Sequence, residues 1–297
     1  MLKFIKDWTL PLAMLIGVLL YPLASRLIVL TPYLIFAMLL LTFSKLSPRQ
    51  IKIQRAHLWL LLIQLFGSVG VYLLIRLYHP IVAQGAFICM LVPTATSAAV
   101  IVGMLGGNVG FLTAYLLVCN IAVAIAGPAL FPFIGPHHET PFWEAFIYIC
   151  REVGPILLLP LAVAWLLRYF APKLHKGLTS IHGLSFYIWA LALIIVTGTT
   201  TKFLVEQENP DYSMEIGMAV ASLVICLFQF WLGRKIGRHY GDPISAGQAL
   251  GQKNTVLAIW MAQAYLTPVS SLTPALYVLW QNCINAYQLW KKRGVTT

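Results

Sequence analysis

Lys253 is the residue whose chemistry fits its surroundings least well. With Asn254 and Thr255 it forms a polar triplet near the middle of 244–266, a stretch long and apolar enough to cross a membrane. Burial disfavours the charged form of an amine, so an ionisable side chain at this depth is a functional candidate. The structural alternative is that the lysine stem extends its ammonium to an aqueous surface. The middle of a span lies about 10 residues from either end, which makes that extension long.

A second polar interruption lies in the apolar stretch 82–105, where Pro93 is followed by small and polar residues. Such a break frees backbone groups that a buried cavity or a ligand must satisfy. A simple proline kink would explain one such segment, but a pair of interrupted helices indicates a binding site near the membrane midplane. The residues predicted to line that site are Thr96, Ser97, Asn254, Thr255 and Asn282.

Other chemically capable residues form weaker patterns. His137-His138-Glu139 resembles a run of metal ligands, but adjacent histidines in a short polar loop are more often solvated. Arg151 and Glu152 could pair in the membrane or lie at its rim. The five cysteines occupy apolar segments without metal-ligand spacing, so we expect buried thiols. Phosphate-loop, dinucleotide and Ser/His/Asp patterns are missing from the sequence. We therefore predict no enzyme activity, no cofactor and no metal site.

Membrane-spanning helices must position these residues, because the chain is 60% hydrophobic and 10% charged, whereas soluble domains are about 45–50% apolar and about 25% charged. Continuous apolar runs contradict the alternating pattern of a β-barrel, and lipid leaves helices as the spanning structure. We predict an all-α polytopic membrane protein with ten spans of about 20 residues. They lie at 8–24, 29–44, 56–77, 82–105, 109–134, 145–169, 184–204, 214–233, 244–266 and 270–290.

The basic residues orient these spans. Fifteen Lys and Arg residues fall on the side that holds both termini and three on the other, which predicts cytoplasmic termini in an inner (plasma) membrane. The N-terminal apolar run is interpreted as a retained first span. The net charge of +11 thus reflects orientation in the lipid bilayer, and we predict no nucleic-acid partner.

A polar loop at 136–143 divides the ten spans into two sets of five, 1–135 and 144–297. An odd number of spans forces the second set to lie inverted relative to the first, which is a common plan of secondary transporters. The fourth and ninth spans then occupy equivalent positions in the two sets. We predict two inverted five-helix repeats in which these two helices are discontinuous and cross.

Several stretches are similar to the bile acid:sodium symporter family. Pro93–Ser97 followed by Gly107–Val109 resembles the family's proline-glycine-glycine-threonine-alanine-serine-asparagine motif and its later glycine-asparagine-valine. Gly251–Ala258 resembles the glutamate-x-glycine-x-glutamine-asparagine-serine stretch of the ninth helix, and Trp280–Asn282 matches the tryptophan-x-asparagine of the tenth. The similarity follows span order along essentially the whole chain, and includes Gly127–Pro132 and the step Leu159-Pro160.

The resemblance implies a panel of spans 1, 2, 6 and 7 and a core of spans 3–5 and 8–10, in which the broken helices cross. It implies transport of a bile-acid-like or other carboxylated organic anion by alternating access. Two sodium ions normally bind behind the crossing in this family.

The aligned sodium ligands, however, are largely replaced. Five positions carry side chains without oxygen: Ala98 and Ala99 for a serine and an asparagine, Leu112 and Leu116 for two hydroxyl residues, and Ala249 for a glutamate. Lys253 stands where the family has a glutamine, and Gln64 in span 3 matches a remaining ligand. Sodium needs several converging oxygens, so neither site can be carried over.

We therefore expect a sodium-independent transporter of a small organic anion, in which the ammonium of Lys253 replaces the sodium charge beside helix C-terminal carbonyls. Glu215 and Asp242 lie near span ends, too far to pair with it. The lysine could stay charged, or it could be a neutral amine that takes up a proton with the anion, which would make protons a coupling partner. The alternatives are a conventional sodium:organic anion symporter and a non-transporting membrane sensor or assembly subunit.

Overall fold

The computed structural model describes residues 12–45, 52–135, 141–180, 184–207 and 210–295, which are almost entirely helical. The elements in chain order are α1 (12–19), α2 (Tyr21–Ala24), a 3-10 helix (Ser25–Leu30), α3 (Thr31–Ser44), α4 (Arg55–Ile75), α5 (Pro80–Leu91), α6 (Ala98–Leu105), α7 (Val109–Ile134), α8 (Phe142–Phe170), α9 (Pro172–Ser180), α10 (Leu184–Val205), α11 (Tyr212–His239), α12 (Pro243–Gly251), α13 (Thr255–Tyr265), a 3-10 helix (Pro268–Ser271) and α14 (Leu272–Val295).

Long apolar helices make the chain an all-α membrane protein. Within the described ranges six helical stretches are long and apolar enough to cross a membrane: Tyr21–Ser44, Arg55–Ile75, Val109–Ile134, Phe142–Phe170, Tyr187–Val205 and Tyr212–His239. Pro80–Leu91 and Thr255–Tyr265 are apolar but shorter. They belong to the stretches predicted as the fourth and ninth spans, each of which is divided into two helices.

The boundary between the first two predicted spans differs from the sequence prediction. The spans were expected at 8–24 and 29–44, whereas helical structure continues from Tyr21 to Ser44 through the 3-10 segment. Pro22 is the second residue of this stretch, in the first helical turn, where helices tolerate proline. Ser25 donates its hydroxyl to the Pro22 carbonyl oxygen at 3.4 Å, so the polar residue expected in a loop is satisfied within the helix.

The first compact unit comprises Met1–Leu46 and Arg151–Pro210. In it α10 packs against α2, the following 3-10 helix and α3. A Cβ atom added at Gly198 of α10 would collide with Ala24 and approach the carbonyl oxygen of Gly17 at 3.1 Å. Small residues of this kind let membrane helices approach closely.

The second compact unit comprises Ser47–Cys150 and Asp211–Thr297 and holds both divided helices. Its most extensive helix contacts are α11 with α12 and α4 with α5. A Cβ atom at Gly233 of α11 would collide with the backbone of Ala246 in α12. This close packing positions the C-terminal end of α12 inside the unit.

Candidate functional site

The first break lies between α5 and α6. Helix α5 starts at Pro80, after His79 accepts a hydrogen bond from the Ile81 amide. It ends at Leu91 because Val92, which precedes Pro93, adopts φ −55° and ψ 145°, the extended conformation that a following proline favours. The carbonyls of the last α5 turn therefore lack partners within the helix.

The second break lies between α12 and α13 and is built in the same way. Helix α12 starts at Pro243 after Asp242, whose carboxylate accepts from the Ser245 amide at 3.2 Å. It ends at Gly251, and α13 begins at Thr255 after Asn254, whose side-chain oxygen accepts from the Leu257 amide at 3.3 Å. Helices α5 and α12 thus both begin with a capping residue and a proline.

The two breaks meet as a short antiparallel bridge between Thr94 and Lys253. The Ala95 amide donates to the Gln252 carbonyl at 2.8 Å, and the Asn254 amide donates to the Pro93 carbonyl at 2.9 Å. Unwound backbone at membrane depth must find such partners inside the protein. The bridge provides them and joins two segments about 160 residues apart in the chain.

Lys253 is fully buried at this bridge, with 0% exposure. Its Nζ donates to the carbonyl oxygens of Met90 at 2.9 Å and Val92 at 3.1 Å. Its own backbone amide donates to Oε1 of Gln281 at 2.9 Å. The end of α5 carries the negative end of the helix dipole, so the amine lies where a positive charge is stabilised. In the structure, the side chain reaches these carbonyls and does not extend to the surface of the chain.

Gln64 of α4 binds the same end of α5. Its Nε2 donates to the carbonyl oxygens of Leu91 at 2.7 Å and Val92 at 3.1 Å. The hydroxyl of Tyr115 in α7 donates to Gln64 Oε1 at 2.6 Å, and both residues are 0% exposed. Gln64 and Lys253 therefore share the Val92 carbonyl and together satisfy the freed end of α5.

A second buried Gln and Tyr pair joins the two breaks from the other half of the chain. Nε2 of Gln229 in α11 donates to the Cys89 carbonyl at 3.3 Å and to the Tyr277 hydroxyl oxygen at 3.0 Å. The Tyr277 hydroxyl donates to the Gly251 carbonyl at 2.8 Å, at the end of α12. Both glutamines thus donate to carbonyls near the end of α5, and Tyr277 connects Gln229 to the end of α12.

Thr94 completes the arrangement opposite Lys253. Its hydroxyl donates to the Ala249 carbonyl at 2.5 Å, and its amide donates to the Cys119 sulfur at 3.4 Å. The Thr94 hydroxyl therefore donates to a carbonyl at the end of α12, as the Lys253 amine donates to carbonyls at the end of α5. Unlike the amine, the hydroxyl cannot carry a positive charge. Around this contact lies an apolar cluster that includes Ala98, Leu112 and Ala249.

Some of the predicted site residues lie next to the bridge. Thr96 is half-buried, and Ser97 is an exposed residue immediately before α6. Asn254 and Thr255 are each 4% exposed, at the start of α13. The Asn282 Nδ2 donates to the Val278 carbonyl of its own helix at 2.6 Å. Its neighbour Gln281 contacts the bridge instead.

Sequence reasoning did not select Thr94, Tyr115, Gln229, Tyr277 or Gln281. Gln229 could have been found as a polar side chain within an apolar span, whereas Gln64 was selected because it matches a sodium ligand in the family resemblance. Tyrosines are common in membrane helices for other reasons, so Tyr115 and Tyr277 carry little signal of their own. The contact of Gln281 depends on the rotation of α14, which the sequence pattern does not specify.

The remaining candidates lie elsewhere. His137, His138 and Glu139 fall outside the described residues, and Arg151 and Glu152 are both exposed in α8. Cys89, Cys119 and Cys226 are buried free thiols. Among the described residues, no group of three or more His, Cys, Asp or Glu side chains is arranged to hold a metal ion.

Comparisons with known proteins add no relative: no protein-family model matches the chain, and no curated protein matches it significantly.

Proposed function

We propose that this chain is a secondary transporter that moves a small organic anion, bile-acid-like or another carboxylate, by alternating access without sodium coupling. The observation that carries the proposal is the buried amine of Lys253, which donates to the Met90 and Val92 carbonyls at the meeting point of two broken helices. A covalently attached cation takes the position and the electrostatic role of a bound ion at helix C-terminal ends.

The architecture supports the same proposal. Broken helices that meet inside a membrane protein are a recurrent design of secondary transporters. The first compact unit contains residues of the first, second, sixth and seventh predicted spans, and the second holds the third to fifth and the eighth to tenth. This is the grouping that the resemblance to the bile acid:sodium symporter family implies. We propose membership of that family, with ten spans in two inverted repeats and Thr96, Ser97, Asn254 and Thr255 near the solute.

Sodium should not be required for transport, and replacing it with choline should leave uptake unchanged. Ala98, Leu112 and Ala249 pack in an apolar cluster, and hydrocarbon side chains supply no oxygen ligands for sodium. The measurement is initial uptake by liposomes that contain the purified protein, in matched sodium and choline buffers. A reproducible sodium requirement of about tenfold or more would instead favour the conventional symporter.

Reporter fusions should place the basic loops in the cytoplasm. Fusions after Lys52, Lys176 and Arg238 should give cytoplasmic signals, and one after His138 should give the opposite signal, because Lys and Arg are retained on the cytoplasmic side. Alkaline phosphatase and a fluorescent protein, fused at each position, read opposite sides. A cytoplasmic signal after His138 would contradict the division into five and five spans.

The test of the function itself is uptake of labelled organic anions, starting with cholate, by liposomes that contain this protein alone. A thermal-shift screen of organic anions with and without sodium selects further solutes, since a ligand that prefers the folded state raises the unfolding midpoint. Saturable uptake supports a transporter. Ligand-dependent stabilisation without uptake of any stabilising anion would favour a membrane sensor or an assembly subunit.

A further inference from the structure

Three buried carboxamides connect α12 and α14 to the exposed residue Ser97. Gln248 is 1% exposed, and Gln252 and Asn285 are each 4% exposed. Burying a polar group is costly unless it is hydrogen-bonded. The three side chains are hydrogen-bonded to one another in a row that ends at the exposed Ser97 hydroxyl, and in this row the Gln248 Oε1 atom is buried without a hydrogen-bond partner among the described residues.

The hydrogen bonds in this row all run in one direction. Gln248 Nε2 donates to Asn285 Oδ1 at 2.9 Å, and Asn285 Nδ2 donates to Gln252 Oε1. Gln252 Nε2 then donates to Ser97 Oγ at 3.4 Å. Gln248 Nε2 also donates to Gln288 Oε1 at 3.2 Å, which orients the first carboxamide from a second side.

This direction determines what the Ser97 hydroxyl can offer. A hydroxyl has one hydrogen to donate and two lone pairs that accept. Gln252 already donates to the Ser97 oxygen, and the Ser97 side chain makes no capping hydrogen bond with its own helix, α6. The hydrogen of the Ser97 hydroxyl therefore remains available for an acceptor outside the row.

We propose that the Gln248, Asn285 and Gln252 row holds Ser97 as a hydrogen-bond donor to an anionic oxygen of the transported solute, such as a carboxylate. Gln252 and Asn285 are then positioning residues. Ser97 makes the site specific for a solute group that accepts a hydrogen bond over one that donates it. The role of Ser97 rests on the proposed transport function. The direction of the row does not, so it can be tested separately.

The direction is tested by the reactivity of Ser97→Cys toward N-ethylmaleimide, which alkylates the thiolate and not the neutral thiol. An N–H that donates to the introduced sulfur stabilises the thiolate. Adding Gln252→Met removes that donor and should slow alkylation about three- to tenfold, because a hydrogen bond that favours the charged form raises its population. Adding Asn285→Leu, one link further away, should slow alkylation by a smaller factor.

Peptide-resolved mass spectrometry follows position 97 separately from the native thiols. Exposed Cys283 is an internal reference, and buried Cys89, Cys119 and Cys226 should stay unmodified in every folded variant. Asn282→Leu is the matched control, since its amide binds its own helix, and it should leave the rate unchanged. Faster or unchanged alkylation after Gln252→Met overturns the proposal, because Ser97 would then donate to the row or make no bond with it.

The role of Ser97 toward the solute is tested with cholate as the probe. Ser97→Ala should raise the KM for cholate uptake about tenfold, the effect of losing one hydrogen bond to a charged group, and Ser97→Thr should restore it. Equal KM values in all three proteins overturn the donor role. Absence of cholate uptake by the parent protein contradicts the bile-acid-like solute of the proposed function, while the alkylation result still decides the direction of the row.

Discussion

Lys253→Gln should lower organic-anion uptake about 10- to 100-fold, whereas Lys253→Arg should retain much of it. The lysine amine donates to Met90 and Val92 at the end of α5, and hydrogen bonds that involve a charged group contribute about 1.5–3 kcal/mol each. Glutamine can donate a hydrogen bond but carries no charge, so the negative end of α5 loses its counter-charge. Arginine keeps a charge that does not titrate in the working range.

The measurement is initial uptake by liposomes from about pH 5 to about pH 9, together with the thermal midpoint of each variant. Lys202→Gln is the matched control, because Lys202 is a partly exposed lysine paired with Glu206 at 3.9 Å, and exposed pairs contribute about 0–1 kcal/mol. It should leave uptake unchanged. If Lys253→Gln transports as well as the parent across this range, Lys253 has no coupling role and its burial is purely structural.

The pair of variants also separates the two roles left open for the amine. A fixed counter-charge predicts that arginine supports transport and glutamine does not. A titrating amine predicts that both variants lose accumulation driven by a pH gradient, while arginine still binds the anion and glutamine does not. The second pattern would make the protein proton-coupled.

A membrane potential of about 100 mV, positive inside the liposome, should concentrate a monovalent organic anion about 50-fold inside. Lys253 is part of the chain and buried at the crossing, so a fixed ammonium cannot leave with the solute. Each cycle then carries the charge of the anion alone, and one charge across about 100 mV corresponds to about 2.3 kcal/mol. In a cell whose interior is negative, the membrane potential drives a carboxylate outward.

The potential is imposed with valinomycin and a potassium gradient, and the internal anion is measured at steady state. The ratio is an equilibrium quantity, so the two orientations of the protein in the liposome give the same result. Reversing the gradient should exclude the anion by the same factor, and liposomes without protein are the control. Accumulation that ignores the potential and follows a pH gradient would contradict the fixed ammonium and support proton uptake by Lys253.

Much of the fold follows from composition and local pattern. A chain that is 60% hydrophobic has to form helices in lipid, because unpaired backbone groups are too costly there. The interruption at Pro93 was predictable, because proline restricts the preceding residue and removes a donor. The interruption at Lys253 was predictable from the glycines and polar residues around it. The continuous helix from Tyr21 to Ser44 was not, since Ser25 is satisfied by its own helix.

The partners of the crossing residues depend on tertiary structure. Gln64 was selected because it matches a ligand position in the family resemblance, but its contacts with the end of α5 and with Tyr115 join three helices. Such contacts depend on how far each helix is shifted and rotated against its neighbours. The residue pattern of a single apolar helix does not specify its shift or rotation, because nearly every face of the helix is apolar.

The sequence by itself determined that this chain lies in a membrane, that two of its helices are interrupted, and that an ionisable amine lies at one interruption. Tertiary structure decided what the amine binds. It brought Lys253 to the Met90 and Val92 carbonyls and turned Gln281 toward the bridge in place of Asn282. Adjacent residues on a helix point about 100° apart, so the choice between them rests on the packing of α14, which is set by long-range contacts and not by local sequence.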